Sequence, residues 1–351
     1  MDMTRGRDSS IDIFKGLLVI GMIFCHVLQF FSDDRLYPEV RYATSLFNLI
    51  TFPGFVFSFG FVSQLAYYGK RLRDVYTRMG INALKMLAAF YISGTCYRIL
   101  AEGRELSGEL LLPILLLDDI PGWSEFLVSF ALFTAAGIVL FHPLRWLTAR
   151  KRLFWAVTAA LLLTTLIDYG SIKANQLGLL AGSRQFASFP VLQYMPFYLI
   201  GVYFACHKVS WSWRVFAGAV AATGMFAAIW LTSGELPERF PPSAAWIAGP
   251  SLLLYGYLLL AAALSKRGWP TAWLHTLGRN VLVYLLLSNI MIFAMKRTQP
   301  DLPLTMPESA GMTVAIMLII TFLLKLVTQP KTKGERQSHE YQHSKTGTSA
   351  P

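Results

Sequence analysis

Residues 11–26 of this chain, IDIFKGLLVIGMIFCH, decide its fold class and contain its first candidate functional side chains. The stretch opens an apolar segment long enough to cross a membrane as a helix, since about 20 apolar residues span the hydrocarbon core. Lys15 and His26 are eleven positions apart, so a helix places them on one face, about 16 Å apart along its axis. An ionisable side chain at hydrocarbon depth is costly, and His26 is therefore a candidate functional residue.

The composition of the whole chain is that of a membrane protein. Of its 351 residues, 54% are hydrophobic and 15% are charged, whereas a soluble domain carries about 25% charge. The alternating strands of an outer-membrane barrel are absent from the pattern. We predict an all-α membrane protein, a polytopic bundle of about ten transmembrane helices. The predicted spans are residues 11–31, 44–68, 79–100, 123–142, 153–169, 188–206, 213–233, 244–264, 276–296 and 308–328.

The charged residues between these spans predict the orientation of the bundle. The net charge is +11, and basic clusters alternate with acidic or mixed connections along the chain. Under the positive-inside rule this alternation places both termini in the cytoplasm of a multi-pass protein of the cell membrane. Lys296 and Arg297 are exceptions, because they follow the ninth span on the predicted outside. The basic excess is thus explained without a nucleic-acid partner.

The chain divides into a transmembrane domain, residues 1–328, and a polar tail, residues 329–351, which we predict to be disordered and cytoplasmic. The first span follows Arg5 and Arg7 without a small-residue cleavage site, so we expect it to remain in the protein. Residues 110–117 are apolar but too short to span, and acidic residues flank them. We predict an interfacial or re-entrant element there, with a loop packed on the outer face as the alternative.

The residues of the first span allow two interpretations. His26 is either a general base or transient acyl carrier, or a neutral histidine that bonds a neighbouring helix. Lys15 is either functional or a cation that extends to the membrane boundary, where Asp12, three residues earlier, forms an ion pair with it. No His, Asp or Glu cluster has metal-ligand spacing, and no glycine-rich phosphate loop is present, which argues against a metalloenzyme and an ATP-driven pump.

The residues from Asp12 to His26 resemble the first helix of the membrane acyltransferase-3 family, which has Arg or Lys, ten intervening residues and His. The resemblance extends to an aromatic run at 53–61, in which Phe59 separates Ser58 from Gly60, and to the basic string at 70–78. It also covers the Trp123 segment and residues 277–284. The strings at 188–192 and 278–280 additionally resemble bacterial relatives of the heparan-α-glucosaminide N-acetyltransferase.

The resemblance implies transfer of an acyl group, expected to be acetyl, from cytoplasmic acyl-CoA to a hydroxyl or amine of a glycan, lipid-linked sugar or small metabolite. The expected partners are this donor, the acceptor and membrane lipids, with a homo-oligomer also compatible and no permanently bound cofactor. The catalytic candidates are His26, Lys15 and Asp12. The candidates for binding the donor phosphates are Lys70, Arg71, Arg73 and Arg78, and those for binding substrate are Ser58, Arg98 and Trp123.

Each of these assignments has a competing interpretation. The basic string at 70–78 also satisfies the positive-inside rule, and Arg98 and Trp123 also suit a membrane interface. A proton-coupled secondary transporter with His26 as proton relay is the alternative function, and a non-catalytic assembly protein is a third. Acceptor-dependent cleavage of acyl-CoA favours the enzyme, whereas substrate flux without cleavage favours the transporter.

Overall fold

A computed structural model describes residues 9–267 and 270–328. All regular secondary structure in these residues is helical, which confirms the predicted fold class. Arg5, Arg7 and the predicted tail at 329–351 lie outside the described residues. The helices are α1 (Ser9–Phe31), α2 (Pro38–Ser63), α3 (Leu72–Cys96), α4 (Gly108–Leu115), α5 (Glu125–Val139), α6 (Phe141–Thr148), α7 (Lys151–Leu161), α8 (Asn175–Ala181), α9 (Val191–Cys206), α10 (Trp213–Ser233), α11 (Ala244–Ala248), α12 (Ser251–Lys266), α13 (Ala272–Arg279), α14 (Val281–Thr298) and α15 (Met306–Thr328).

All ten predicted spans are helical over most of their length, but fewer are long and apolar enough to cross a membrane unaided. Within the described ranges six helical segments meet that condition, or seven if α5 and α6, which are bent by 77°, form one span. α9 is only 16 residues long and is buried along most of its length. A helix enclosed by other helices has little contact with lipid, so its length and polarity are less constrained.

α1 is the central helix of the bundle, with most of its residues buried. It contacts α2, α12, α13, α14 and α15. It runs antiparallel to α2, since the ring of Phe14 packs on that of Phe57 while Gly21 faces Phe47. The backbones of α1 and α13 approach closely where Gly278 lies against the Asp12 carbonyl. Small residues permit such approaches between membrane helices.

Hydrogen bonds link the connections at one end of the bundle. Arg145 Nη1 donates to the Lys70 carbonyl over 3.1 Å. Nε2 of His207 lies 3.1 Å from the Thr148 carbonyl. We call this end, to which the N-terminus of α1 also belongs, the basic end.

The opposite end carries most of the acidic residues, and we call it the acidic end. There Leu304 N donates to the Phe31 carbonyl over 2.7 Å, and Asn175 donates to the Asp118 carbonyl over 3.2 Å. The two ends thus separate basic from acidic connections as the charge alternation predicts. That the basic end faces the cytoplasm remains a prediction.

The apolar segment at 110–117 forms most of α4, a short, predominantly apolar helix at the acidic end. The Ser107 side chain caps it by accepting a hydrogen bond from Leu110 N over 3.3 Å. Leu110 and Ile114 are buried, while Leu112 and Leu115 are exposed. The segment is thus helical, and its interfacial or re-entrant placement in the membrane remains a prediction.

Candidate functional site

A cavity of about 260 Å³ lies near the acidic end, between α1, α2 and the connections that precede α5 and α11. His26 enters it from α1, five positions before that helix ends at Phe31. Its walls combine aromatic rings with several polar side chains. The lining residues are Met22, His26, Gln29, Asn48, Thr51, Phe52, Phe55, Gly122, Trp123, Glu125, Phe126, Phe189, Arg239 and Phe240.

The orientation of His26 is set by Asn289 of α14. The imidazole Nδ1 lies 2.8 Å from Asn289 Oδ1, and Asn289 Nδ2 donates to the Trp123 carbonyl over 3.0 Å. A carbonyl only accepts, so the amide nitrogen faces Trp123 and the amide oxygen faces His26. Nδ1 must then carry the imidazole proton. Nε2 is left with a free lone pair, and no hydrogen bond within the described part of the chain engages it.

Trp123 supports the same arrangement with its ring and its backbone. Its ring meets the imidazole edge to face, with centroids 5.3 Å apart, and packs on Phe30 at 4.5 Å. Its φ of 67° lies in the left-handed region, which a bulky residue rarely adopts. Such strain persists only where surrounding contacts hold it, and it is frequent at functional sites. The structure thus places Trp123, a predicted substrate-binding residue, in the wall of the cavity.

Two oppositely charged side chains, Glu125 and Arg239, face the same cavity. Arg239 belongs to the connection between α10 and α11, and its guanidinium lies 4.4 Å from the centroid of the Phe240 ring. Burial lowers the pKa of Arg239 from its ordinary value, while the nearby Tyr194, Cys25 and Glu125 act in the opposite sense. Glu125 Oε2 is buried without a hydrogen-bond partner in the described ranges. No ion pair joins the two among the described residues.

Lys15 and Asp12 lie at the basic end, away from this cavity. The Lys15 ammonium is 2.9 Å from the Asp12 carboxylate, which confirms the expected ion pair, and Arg279 of α13 approaches the same carboxylate at 3.4 Å. Asp12 is 1% exposed. On α1 the cavity lining begins at Met22, and the fully buried Val19 lies between Met22 and Lys15. Lys15 and His26 therefore share a helix face but not a cavity.

The basic string is exposed at the basic end. Lys70, Arg71, Arg73 and Arg78 are all open to solvent. Arg71 lies 2.9 Å and Arg73 3.7 Å from the carboxylate of Asp74. Exposed ion pairs of this kind contribute little to stability, so both guanidinium groups can exchange Asp74 for another anion.

Two further predicted substrate residues, Ser58 and Arg98, do not line the cavity. Ser58 is buried, and its hydroxyl donates to the Phe55 carbonyl of its own helix over 2.9 Å. Arg98 forms ion pairs with Glu102 and Asp119, each at 2.5 Å. A contact of either residue with substrate remains a prediction.

The sequence analysis did not single out Asn289, Glu125 or Arg239, which the structure places at or next to the cavity. Asn289 carried a signal, because a polar side chain inside an apolar span is costly. Arg239 carried a signal, because it is a cation in a connection that also holds Glu235 and Glu238 on the predicted outside. Neither residue is close in sequence to His26, so spacing alone did not join them.

The fold and the cavity together define a multi-pass membrane protein with a histidine held in one tautomer beside a partly open cavity. A family model described as an acyltransferase domain matches residues 8–328. The chain therefore belongs to the acyltransferase-3 family, as residues 12–26 predicted. No curated protein and no solved structure matches the chain. The relation to the heparan-α-glucosaminide N-acetyltransferase stays a prediction.

Proposed function

We propose that this protein transfers an acyl group, with acetyl as the expected group, from cytoplasmic acyl-CoA to a hydroxyl or amine of a glycan, lipid-linked sugar or small metabolite. The observation that carries the proposal is the state of His26. Its Nδ1 is engaged by Asn289 at 2.8 Å, which leaves Nε2 as a base in the cavity. Membership of an acyltransferase family favours this activity over the secondary transporter.

His26 acts on the acceptor in this mechanism. The acceptor hydroxyl gives its proton to Nε2, and its oxygen attacks the thioester carbonyl carbon to form a tetrahedral intermediate. The carbon–sulfur bond then breaks, and the leaving thiolate of coenzyme A takes the proton back from Nε2. A thioester is already activated, so proton transfer and positioning are the main tasks of the protein.

Asn289 and the aromatic walls assist the same step. The Asn289 oxygen accepts the Nδ1 hydrogen throughout, so it stabilises the imidazolium that forms when Nε2 takes the proton. Phe52, Trp123 and Phe189 enclose the cavity with apolar surface. Such walls limit access of water, which would otherwise hydrolyse the thioester.

The donor is proposed to approach from the basic end. Lys70, Arg71, Arg73 and Arg78 would bind its phosphates, since guanidinium groups pair well with phosphate. Lys15 would bind the phosphate or pantetheine end at the mouth of the bundle. The thioester must still reach His26, about 16 Å further along α1. Because Lys15 does not line the cavity that contains His26, we propose that a route along α1 opens when the donor binds.

The test is acceptor-dependent release of coenzyme A thiol by the purified protein in detergent. Free monosaccharides and acetyl-CoA serve as probes, and monodispersity and acetyl-CoA affinity are measured alongside. We expect His26→Ala to lower turnover by roughly 10²–10⁴-fold, the usual scale for one acid–base group, with donor affinity retained. His207→Ala is the matched control, because His207 contacts the Thr148 carbonyl and lies outside the cavity lining.

Three results would contradict the proposal. Turnover of His26→Ala within about threefold of wild type would remove His26 from the chemistry. An equal loss in His207→Ala would indicate a general defect rather than a missing base. Transport of a substrate without any thiol release would favour the secondary transporter.

A further inference from the structure

We propose that the acceptor is an anionic, polyhydroxylated molecule such as a sugar acid or sugar phosphate, bound with its negative group on Arg239 and a hydroxyl on Glu125. The inference rests on the proposed function, because it places this molecule in the cavity where His26 acts. It adds the charge of the acceptor and the two residues that select it.

The first supporting feature is the cationic side chain of Arg239. It is half-buried, and its guanidinium lies over the Phe240 ring at 4.4 Å and approaches the Trp246 ring at 6.0 Å. Aromatic contacts hold a cation in place but do not neutralise it. No carboxylate of the described residues forms an ion pair with it. A buried charge is costly unless it is paired, so this position favours a ligand that brings an anion.

The second supporting feature is the carboxyl group of Glu125. Glu125 lines the same cavity, and its buried Oε2 has no hydrogen-bond partner among the residues that the structure describes. An unpartnered carboxyl oxygen accepts hydrogen bonds, so hydroxyl or amine hydrogens would satisfy it. Because Glu125 and Arg239 do not pair with each other, both remain available to one molecule placed between them.

The remaining walls fit the carbon skeleton of a sugar. Phe52, Trp123 and Phe189 present rings to the cavity, and apolar C–H faces pack well on aromatic rings. The amides of Gln29 and Asn48 line the same space and can bond further hydroxyls. A volume of about 260 Å³ suits one small ring rather than a long chain.

The test is direct binding of four probes to the purified protein, measured without any donor. The probes are glucose, glucuronate, glucose 6-phosphate and glucosamine. We expect at least one of the two anions to bind roughly tenfold more tightly than glucose, and glucosamine not to exceed glucose. Whichever anion binds more tightly distinguishes a carboxylate from a phosphate ligand. Arg239→Gln should abolish this preference, and Arg239→Lys should retain part of it.

The controls separate this inference from the proposed function. Arg184→Gln removes an exposed arginine outside the cavity lining and should leave the preference intact. His26→Ala should also keep the preference, since binding an anion needs no base. Glu125→Gln should weaken glucose and both anions alike.

Either of two findings would overturn the inference. One is that neither anion binds more tightly than glucose, including the case in which no probe binds. The other is that the preference survives in Arg239→Gln. Both leave the turnover test of His26 unaffected.

Discussion

The side-chain oxygen of Asn289 lies 2.8 Å from Nδ1 of His26, although the two residues are 263 positions apart. Asn289 is itself oriented by the Trp123 carbonyl, so three elements of the bundle determine which imidazole nitrogen faces the cavity. The contact defines the tautomer of a histidine in an apolar helix.

Removal of the contact between Asn289 and His26 should lower turnover while the protein still folds. We expect Asn289→Ala to lower turnover by roughly 10- to 100-fold, since a lost hydrogen bond at a buried group costs about 1–3 kcal/mol. Affinity for acetyl-CoA should stay near that of wild type, because the proposed donor residues lie at the opposite end. Steady-state kinetics together with donor binding by the purified variant measure both quantities.

The matched control for this variant is Asn280→Ala. Asn280 also donates from its amide, to the Thr276 carbonyl at 2.9 Å, but it does not line the cavity. Near-normal turnover of Asn280→Ala is expected. If Asn289→Ala retains full turnover, orientation of His26 by Asn289 is not needed for the reaction.

Binding of the donor through its phosphates should depend on the exposed arginines of the basic string. We expect the double variant Arg71→Gln/Arg73→Gln to weaken acetyl-CoA binding roughly tenfold, about 1.4 kcal/mol, with a greater loss at low salt because ions screen such contacts. Equilibrium binding at two salt concentrations measures this. Lys151→Gln/Arg152→Gln removes two exposed charges from the start of α7, at the same end of the bundle. An equal effect of that control pair would indicate a general electrostatic field and contradict a site at Arg71 and Arg73.

The orientation of the bundle can be tested by labelling single cysteines. In a Cys206→Ser background, since Cys206 is exposed, an impermeant maleimide should modify Glu105→Cys in intact cells. It should modify Arg152→Cys only after the membrane is permeabilised, because the positive-inside rule puts the basic end in the cytoplasm. Both native positions are exposed, at opposite ends. The reverse labelling pattern would invert the predicted orientation.

The close contact of α1 and α13 should be sensitive to one added methyl group. A Cβ at Gly278 would overlap the backbone carbonyl of Asp12, which has no rotamer by which to move away. We expect Gly278→Ala to destabilise the protein by about 1–3 kcal/mol, the usual cost of overpacking, and to lower the Tm of the purified protein.

Gly256→Ala is the matched control for this prediction. Gly256 lies within α12, and a Cβ there would meet no atom within 4 Å. Alanine is the better helix former, so the Tm should be unchanged or slightly higher. A Tm of Gly278→Ala equal to that of wild type would mean that the two backbones separate at little cost.

The sequence by itself determined the features that depend on neighbours along the chain. The helical course of α1, the shared face of Lys15 and His26 and the ion pair of Asp12 with Lys15 follow from 100° and 1.5 Å per residue. Membrane class follows from composition, and residues 12–26 were enough to indicate the acyltransferase-3 family that the match over residues 8–328 shows.

Only the tertiary structure decided what surrounds His26. Asn289, Glu125 and Arg239 come from distant segments, and nothing in their local sequence states which helices meet. That outcome depends on close packing of small residues such as Gly278 and on buried hydrogen bonds, which are non-local. The tertiary structure also separated Lys15 from the cavity, whose lining on α1 begins at Met22. Helical periodicity specifies a face, whereas packing specifies what that face meets.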